Sequence, residues 1–230
     1  MQIKGFIGSS LIDWDGKITT VLFLSKCNFR CKFCHNKELL EKKQMEDIPF
    51  NQIKEYLLTN KKFIDGVVIT GGEPTLNKDL KHLCEEIKKL NLKIKLDTNG
   101  SKPKIIKILL KKKLIDYIAI DIKTVLNKEE YEKLSDFSDI SKIRETMKII
   151  KKAEIDHEYR TTVIPKFHPF EKIIEIAKSL EPKKCFVLQN FKPENTLDPR
   201  LYNEKPYTQE ELNFIRLECT RYIPIVKIRY

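Results

Sequence analysis

The feature of this sequence that most constrains its fold is a regular alternation of short apolar runs with longer amphipathic segments. Apolar runs rich in Val, Ile and Leu predict buried strands, whereas apolar residues spaced three and four apart predict helices. About six such repeats predict an α/β fold, with helices outside a parallel sheet. Right-handed crossovers would curl such a sheet into an open or closed barrel. The predicted strands are Thr19–Leu24, Val67–Thr70, Leu92–Asp97, Tyr117–Asp121, Tyr159–Ile164 and Phe186–Phe191, and the predicted helices are Phe50–Leu58, Lys78–Leu90, Pro103–Lys112, Asp139–Lys152, Phe170–Leu180 and Thr208–Tyr222.

The length of the chain and its even composition indicate a single domain over residues 1–230. No Gly/Ser linker, low-complexity tract or clear repeat divides it. We assign residues 15–191 to the core and residues 192–230 to a C-terminal extension. The ends, Met1–Ile7 and Ile223–Tyr230, resemble extra strands outside the core pattern.

The composition excludes a disordered chain and a membrane-spanning one. The chain is 41% hydrophobic and 33% charged, as in ordinary globular proteins. It contains no run of ~18 apolar residues that could cross a bilayer. The first ten residues lack a long apolar stretch and a small-residue cleavage site, so we expect a cytoplasmic protein.

The net charge of +11 raises nucleic-acid binding as a hypothesis. The positive residues are overwhelmingly Lys, with 37 Lys against 7 Arg by count, and most have Glu or Asp nearby. Nucleic-acid grooves favour Arg and exposed aromatic residues. Solvated lysine faces therefore explain the charge better, and we do not expect a nucleic-acid partner.

Three cysteines cluster just after the first predicted core strand, as Cys27, Cys31 and Cys34 in the spacing C-x3-C-x2-C. An odd number of cysteines in a cytosolic context argues against disulfides. A structural zinc site needs four ligands; His35 is a candidate fourth, but no second pair is present. Clustered soft thiolates suit an iron–sulfur cluster better, and three thiolates on four irons leave one iron open. The other cysteines fit an apolar core: Cys84, Cys185 and Cys219.

Three further segments lie where predicted strands end, the edge at which parallel α/β folds build their sites. Gly71 and Gly72 would let the backbone approach a ligand, and Glu73 would offer an anion to an amino group, although a plain turn is the alternative. Asp97 and Asp121 each end an apolar run, where a carboxylate buried without a partner is costly. For Asp97, capping of the following loop remains open.

Together these segments resemble the radical S-adenosylmethionine (SAM) superfamily over about residues 9–190. The shared motifs are C-x3-C-x2-C, the Gly-Gly-Glu segment ending at Glu73, the LDTNG segment ending at Gly100, and D-x-K at Asp121–Lys123. The resemblance implies a partial (β/α)6 radical SAM barrel. It also implies a [4Fe–4S] cluster on the three clustered cysteines that binds SAM at its open iron.

Within that superfamily the chain resembles the enzymes that activate glycyl-radical enzymes, among them pyruvate formate-lyase activating enzyme. The lead-in Ser10–Lys17 and the CHN ending at Asn36 are similar to the activating proteins of anaerobic ribonucleoside-triphosphate reductase. This implies reductive cleavage of SAM, an electron donor such as ferredoxin or flavodoxin, and a glycine of a partner enzyme as target. A radical SAM enzyme acting on a small molecule or RNA, and a non-catalytic iron–sulfur or zinc module, remain alternatives.

The resemblance also implies roles for single residues. Phe33 and His35 would touch the adenine, Lys123 would meet the SAM carboxylate or ribose, and Asp97 and Asp121, with Thr98, would hold SAM or a monovalent cation. In the lyase activating enzyme a late strand carries a histidine that reaches SAM. This chain has no histidine in the corresponding region, so Gln189 or Asn190 would replace it. Arg160 would either face SAM or the substrate or form a salt bridge. The full cofactor-binding set is Phe33, His35, Gly71, Gly72, Glu73, Asp97, Thr98, Asn99, Asp121, Ile122 and Lys123, with Cys27, Cys31 and Cys34 as metal ligands.

Overall fold

The computed structural model describes residues 2–40, 46–180 and 184–230. In these ranges strands and helices alternate along most of the chain, as the apolar pattern predicts. The strands are β1 Ile3–Ser10, β2 Thr19–Leu24, β3 Gly66–Gly71, β4 Lys93–Thr98, β5 Tyr117–Asp121, β6 Asp156–Val163, β7 Cys185–Asn190 and β8 Ile225–Arg229. The α-helices are α1 Phe50–Thr59, α2 Leu80–Lys89, α3 Pro103–Lys111, α4 Lys128–Ser135, α5 Ile140–Ala153, α6 Phe170–Ser179 and α7 Gln209–Cys219.

The strands form one eight-stranded sheet in chain order. β1 pairs with β2 antiparallel, whereas β2 with β3, β3 with β4, β6 with β7 and β7 with β8 pair in parallel. The predicted α/β class is confirmed. The chain divides into two compact units. The assignment of residues 1–230 to a single domain stays a prediction.

The first unit comprises Met1–Asn28, Glu38–Ile118 and Glu145–Asp156. Its parallel strands have few exposed positions, as expected of strands covered on both faces. The register aligns Leu24 with Gly71. The ends of β2 and β3 therefore lie side by side, so the loops that follow them start from one edge of the sheet.

The second unit comprises Phe29–Lys37, Ala119–Arg144 and His157–Tyr230. Its terminal strand β8 pairs with β7 from Cys185↔Ile225 onward. The guanidinium of Arg229 also donates two hydrogen bonds, of 2.9 Å and 3.1 Å, to the buried carboxylate of Glu158 in β6. This bidentate pair ties the last strand into the sheet of this unit.

The predicted strands match the observed ones closely. Thr19–Leu24 and Tyr117–Asp121 have the observed bounds, and the other four differ by one to three residues at an end. The predicted N-terminal strand is β1, with Met1 outside the described residues. The predicted helices are all present with shifted ends.

Helix α4 was not predicted from the sequence. Its eight residues are mostly charged and bury only Tyr131, Leu134 and Ser135, so its apolar periodicity is weak. The side chain of Asn127 caps it by accepting hydrogen bonds from the backbone N–H groups of Glu129 and Glu130. Among the described residues, no helix is long and apolar enough to cross a membrane.

Candidate functional site

Cys27, the first cysteine of the cluster, lies just after β2 in the first unit. Its side chain is half-buried and lies next to the side-chain amide of Asn99, with Asn99 Nδ2 3.9 Å from Cys27 Sγ. The same nitrogen donates to Asn28 Oδ1 at 3.1 Å, and Asn28 Nδ2 donates to Ser101 Oγ at 3.0 Å. The loop after β4 is therefore fastened to the start of the cysteine segment.

Glu73 lies in the first unit, where it is fully buried and accepts several hydrogen bonds. Its Oε1 accepts hydrogen bonds from Thr98 Oγ1 at 2.7 Å and from both the backbone N–H and the hydroxyl of Thr75. Its Oε2 accepts the backbone N–H of Asn99 at 2.7 Å. Burial raises the pKa of Glu73, and these hydrogen bonds oppose the rise. The carboxylate thus joins the segment after β3 to the segment after β4.

Gly71 and Gly72 are required because their backbone packs directly against the backbone of Leu24 and Lys26. Gly71 has a φ of +112°, which L-residues rarely adopt. A Cβ on Gly72 would lie 2.1 Å from the carbonyl oxygen of Lys26, and one on Gly71 would lie 2.5 Å from the backbone of Leu24. The close approach that these glycines allow is therefore to the end of β2. Their contact with SAM stays a prediction.

Asp97 lies beside a buried lysine. The Nζ of Lys95 is 3.9 Å from Asp97 Oδ1, and it donates to the backbone carbonyl of Asp13 at 2.7 Å. The same ammonium lies 5.3 Å from the centre of the Tyr117 ring. Lys95 thus supplies a positive charge close to Asp97, and a monovalent cation at this carboxylate stays a prediction.

The other two cysteines lie in the second unit. Cys31 is buried and Cys34 half-buried, and the backbone N–H of Cys34 donates to the carbonyl of Cys31 at 3.0 Å. The backbone N–H groups of Arg30 and Lys32 donate to the last carbonyls of α4, at 2.7 Å and 3.1 Å. The helix that the sequence did not predict therefore positions this stretch of the cysteine segment.

The three cysteine side chains match an iron–sulfur cluster by donor chemistry, since soft thiolates are its usual ligands. None of the three forms a disulfide with another cysteine of the described residues. In the described ranges, no group of three or more Cys, His, Asp and Glu side chains is arranged to hold a metal ion. The assignment of the cluster to these residues therefore rests on ligand type and spacing.

Phe33 and His35, the predicted adenine contacts, are both held by the second unit. His35 Nε2 is 2.8 Å from the carbonyl oxygen of Lys192, and its ring stacks on Phe191 with centroids 6.1 Å apart. Phe33 is buried, with the Lys123 ammonium 5.8 Å from the centre of its ring. The segment after β7 thus supports His35, which the sequence did not reveal.

The D-x-K segment carries a compact charge group. Asp121 accepts Arg160 Nε at 2.6 Å on one oxygen and Lys123 Nζ at 3.0 Å on the other. Burial alone would raise the pKa of Asp121, but the charges of Arg160 and Lys123 outweigh it and hold that pKa well below its usual range. Burial alone would lower the pKa of Lys123, but the charges of Asp121 and Cys31 outweigh it and hold that pKa above its ordinary value. Of the two roles considered for Arg160, the structure shows the salt bridge.

The backbone around Lys123 is clamped by residues that the sequence did not single out. The fully buried His168 accepts the backbone N–H of Ile164 on Nδ1 at 3.2 Å, so its Nε2 carries the proton and donates to the carbonyl of Lys123 at 2.7 Å. The hydroxyl of Tyr131 accepts the N–H of Lys123 at 3.0 Å. Burial lowers the pKa of His168 to about 4, so the ring stays neutral at pH 7. The only sequence feature that could have pointed to His168 is its position just beyond the predicted strand Tyr159–Ile164.

Ile122 and the late-strand candidates have structural contacts of their own. Ile122 is fully buried, and its backbone bonds to Arg160 and Thr161 of β6. Asn190, at the end of β7, donates from Nδ2 to the carbonyl of Tyr207 at 2.9 Å. The replacement of the missing histidine by Gln189 or Asn190 stays a prediction.

Comparison with known proteins assigns these segments to a family. The sequence matches the model of the Radical SAM superfamily over residues 21–181. A protein of Methanocaldococcus jannaschii, provisionally named a glycyl-radical enzyme activating enzyme, is 37% identical over 99% of this chain and 95% of its own length.

Two solved structures show the same fold. SuiB of Streptococcus suis, solved with its precursor peptide SuiA, aligns with a TM-score of 0.71 and 20% identity over 91% of this chain and 48% of its own. The anSMEcpe enzyme with bound AdoMet aligns with a TM-score of 0.60 and 20% identity over 90% of this chain and 61% of its own. The fold expectation is therefore confirmed. Because the family model spans well over half of its length, the chain belongs to the radical SAM superfamily.

Proposed function

We propose that this chain is a radical SAM enzyme that activates a glycyl-radical enzyme. The observation that carries the proposal is the likeness, across nearly the full length of both chains, to a protein provisionally named a glycyl-radical enzyme activating enzyme. The similarity covers the whole sequence and not just the shared superfamily motifs. We further propose an anaerobic ribonucleotide reductase as the partner, and ferredoxin or flavodoxin as the electron donor.

In this proposal, Cys27, Cys31 and Cys34 hold a [4Fe–4S] cluster. When bound, the cluster and SAM would supply the redox chemistry, in which one electron cleaves the sulfonium to methionine and a 5′-deoxyadenosyl radical that takes a hydrogen atom from a glycine of the partner. Ligands of this kind must stay reduced, which favours the cytoplasm.

The charge group around Lys123 supports a role in holding SAM. Asp121 keeps the ammonium of Lys123 charged and oriented, and Arg160 holds Asp121 from the other side. We propose that Lys123 binds the carboxylate or ribose of SAM, while Asp121 keeps it in place. The clamp on the Lys123 backbone by His168 and Tyr131 would keep this ammonium from moving when SAM binds.

Other residues would bind the remaining parts of SAM. The backbone of Gly71 and Gly72, fixed by its packing on β2, would meet the amino group, with Glu73 orienting that segment from its buried position. Phe33 and His35 would lie against the adenine. We propose the same set of residues as above for cofactor binding, including Thr98, Asn99 and Ile122, with a monovalent cation at Asp97 or Asp121.

The test is anaerobic reconstitution of the full chain with iron, sulfide, SAM and a reductant. We expect release of 5′-deoxyadenosine, and a glycine-centred radical by electron paramagnetic resonance when purified anaerobic ribonucleotide reductase is added. Release without that radical in any candidate glycyl-radical enzyme would point to another substrate. No release from a chain with an intact cluster would refute the enzymatic function.

Matched cysteine variants test the ligands. Cys31→Ala is expected to abolish the cluster and SAM cleavage, whereas Cys84→Ala, a buried core position, should keep both. A Cys31→Ala variant that still cleaves SAM would show that the ligand assignment is wrong.

A further inference from the structure

Asn99 occupies a fixed position beside a cysteine sulfur. It is 5% exposed, and its side-chain oxygen accepts the backbone N–H of Ser101 at 3.0 Å. Its backbone N–H is bound at 2.7 Å by Glu73. Because both its backbone and its amide oxygen are held, the direction of the amide nitrogen is set.

That nitrogen carries two hydrogens, and the structure offers two acceptors for them. One is Asn28 Oδ1 at 3.1 Å, and the other is Cys27 Sγ at 3.9 Å, a distance within the range of hydrogen bonds to sulfur. Asn28 is itself held by Ser101, whose hydroxyl lies 3.0 Å from its Nδ2. The amide is therefore directed at the sulfur by a closed set of hydrogen bonds within the first unit.

The loop that carries Asn99 is also anchored away from the sulfur. Thr146 of α5 is fully buried, and its hydroxyl donates to the carbonyl of Gly100 at 2.7 Å. The hydroxyl of Thr98 donates to Glu73 at 2.7 Å. These contacts hold the backbone of the loop but do not touch the cysteine, so the effect of the amide can be separated from that of the anchor.

We propose that Asn99 is a positioning residue that donates a hydrogen bond to the Cys27 sulfur and thereby raises the reduction potential of the cluster. Hydrogen bonds to cysteine sulfurs are among the factors that set iron–sulfur potentials. The positive end of the N–H dipole stabilises the extra electron of the reduced cluster, so removing it makes reduction harder. The proposal rests on the proposed function, because it takes Cys27 as a ligand. It assigns to Asn99 a contact with the cluster in addition to any contact with SAM.

The experiment is a redox titration of the reconstituted full chain without SAM, followed by electron paramagnetic resonance of the reduced cluster. Asn99→Ala removes the donor, and we expect its midpoint potential to shift to a lower value. Asn99→Asp keeps the size and the acceptor for Ser101 but replaces the donor by a negative charge, so its potential should fall further. Thr146→Val is the matched control: it removes a buried hydrogen bond to Gly100 but keeps the contacts of Glu73 and Ser101 that hold Asn99, so its potential should equal that of the parent chain.

Iron and sulfide content are measured on every sample, which separates the two proposals. If the parent chain takes up no [4Fe–4S] cluster, or Cys27→Ala keeps a full one, the ligand assignment fails and the role of Asn99 fails with it. If the cluster is intact and both Asn99 variants have the same midpoint potential as Thr146→Val and the parent chain, only the role of Asn99 is refuted. Should Asn99→Ala fail to fold, Asn99→Ser takes its place, because it shortens the side chain and removes the amide without adding a charge.

Discussion

Arg160 and Asp121 lie 2.6 Å apart between Nε and Oδ1, although 39 residues separate them in the chain. Both side chains are mostly shielded from solvent, and the second oxygen of Asp121 is occupied by Lys123. Asp121 is thus shared by two cations, one from its own segment and one from β6. This arrangement makes the position of Lys123 depend on a residue in a different strand.

Arg160→Ala should lower the free energy of unfolding by roughly 3 kcal/mol, towards the low end of the cost of removing one partner from a buried ion pair. The reason is that Asp121 would lose its strongest partner while remaining shielded. Denaturant unfolding measures the change. Arg200→Ala is the control, since Arg200 is 78% exposed in its pair with Asp198 and its removal should lower the free energy of unfolding far less. Equal effects of the two variants would contradict the structural role.

Lys123→Met should weaken SAM binding by about tenfold or more, the loss typical of one hydrogen bond to a charged group. The fold should survive, because the backbone of Lys123 is held by His168 and Tyr131 whatever its side chain. Equilibrium binding of SAM to the reconstituted chain measures the effect. Lys133→Met, an exposed position on α4, should bind SAM as the parent does. Unchanged affinity in Lys123→Met would remove Lys123 from the SAM site.

The buried His168 should make stability depend on pH. Its folded pKa of about 4 lies below the ordinary value of 6.5, so the unfolded chain binds the proton more readily between these values. The contribution of His168 is therefore fully present above pH 6.5 and is lost as the pH falls towards 4, by roughly 3 kcal/mol in total.

Unfolding free energies of the parent and of His168→Gln, measured between pH 7 and pH 5, test this dependence. The parent should lose stability faster with falling pH than the variant. His82→Gln, at an exposed position, should keep the slope of the parent. Parallel slopes for all three proteins would show that His168 is not buried in its neutral form.

Glu73→Gln should destabilise the first unit, although the change is nearly isosteric. The carboxylate accepts from Thr75, Thr98 and Asn99, whereas an amide would turn an N–H towards at least one of these donors. We expect a loss of about 1–3 kcal/mol from the unmet buried donor, measured by thermal or denaturant unfolding. Glu85→Gln, on the solvent side of α2, should change little. A neutral result for Glu73→Gln would mean that the carboxylate is already protonated in the folded chain.

The sequence predicted the fold and the location of the motifs well, because both depend on local patterns. Apolar runs gave the strands, and motifs at their ends fell where parallel strands end in the structure, as at Gly71 and Asp121. Helix α4 was missed because its stability comes from a capping Asn and from packing of Tyr131 and Leu134, not from a long apolar stripe. The same helix then anchors Arg30 and Lys32, so a weak local signal concealed a contact that matters for the cysteine segment.

By itself, the sequence determined the α/β class and the strand positions, since both follow from the short-range spacing of apolar residues. Its short motifs carried the resemblance to the superfamily, and that resemblance supplied the candidate residues. Only the tertiary structure decided which side chains contact these candidate residues. It showed Glu73 buried as a hub, Lys95 beside Asp97, and Arg160 with His168 around the D-x-K segment. The physical reason is that hydrogen bonds and ion pairs are chosen by distance in space. Residues tens of positions apart become neighbours only when the sheet brings the ends of its strands together.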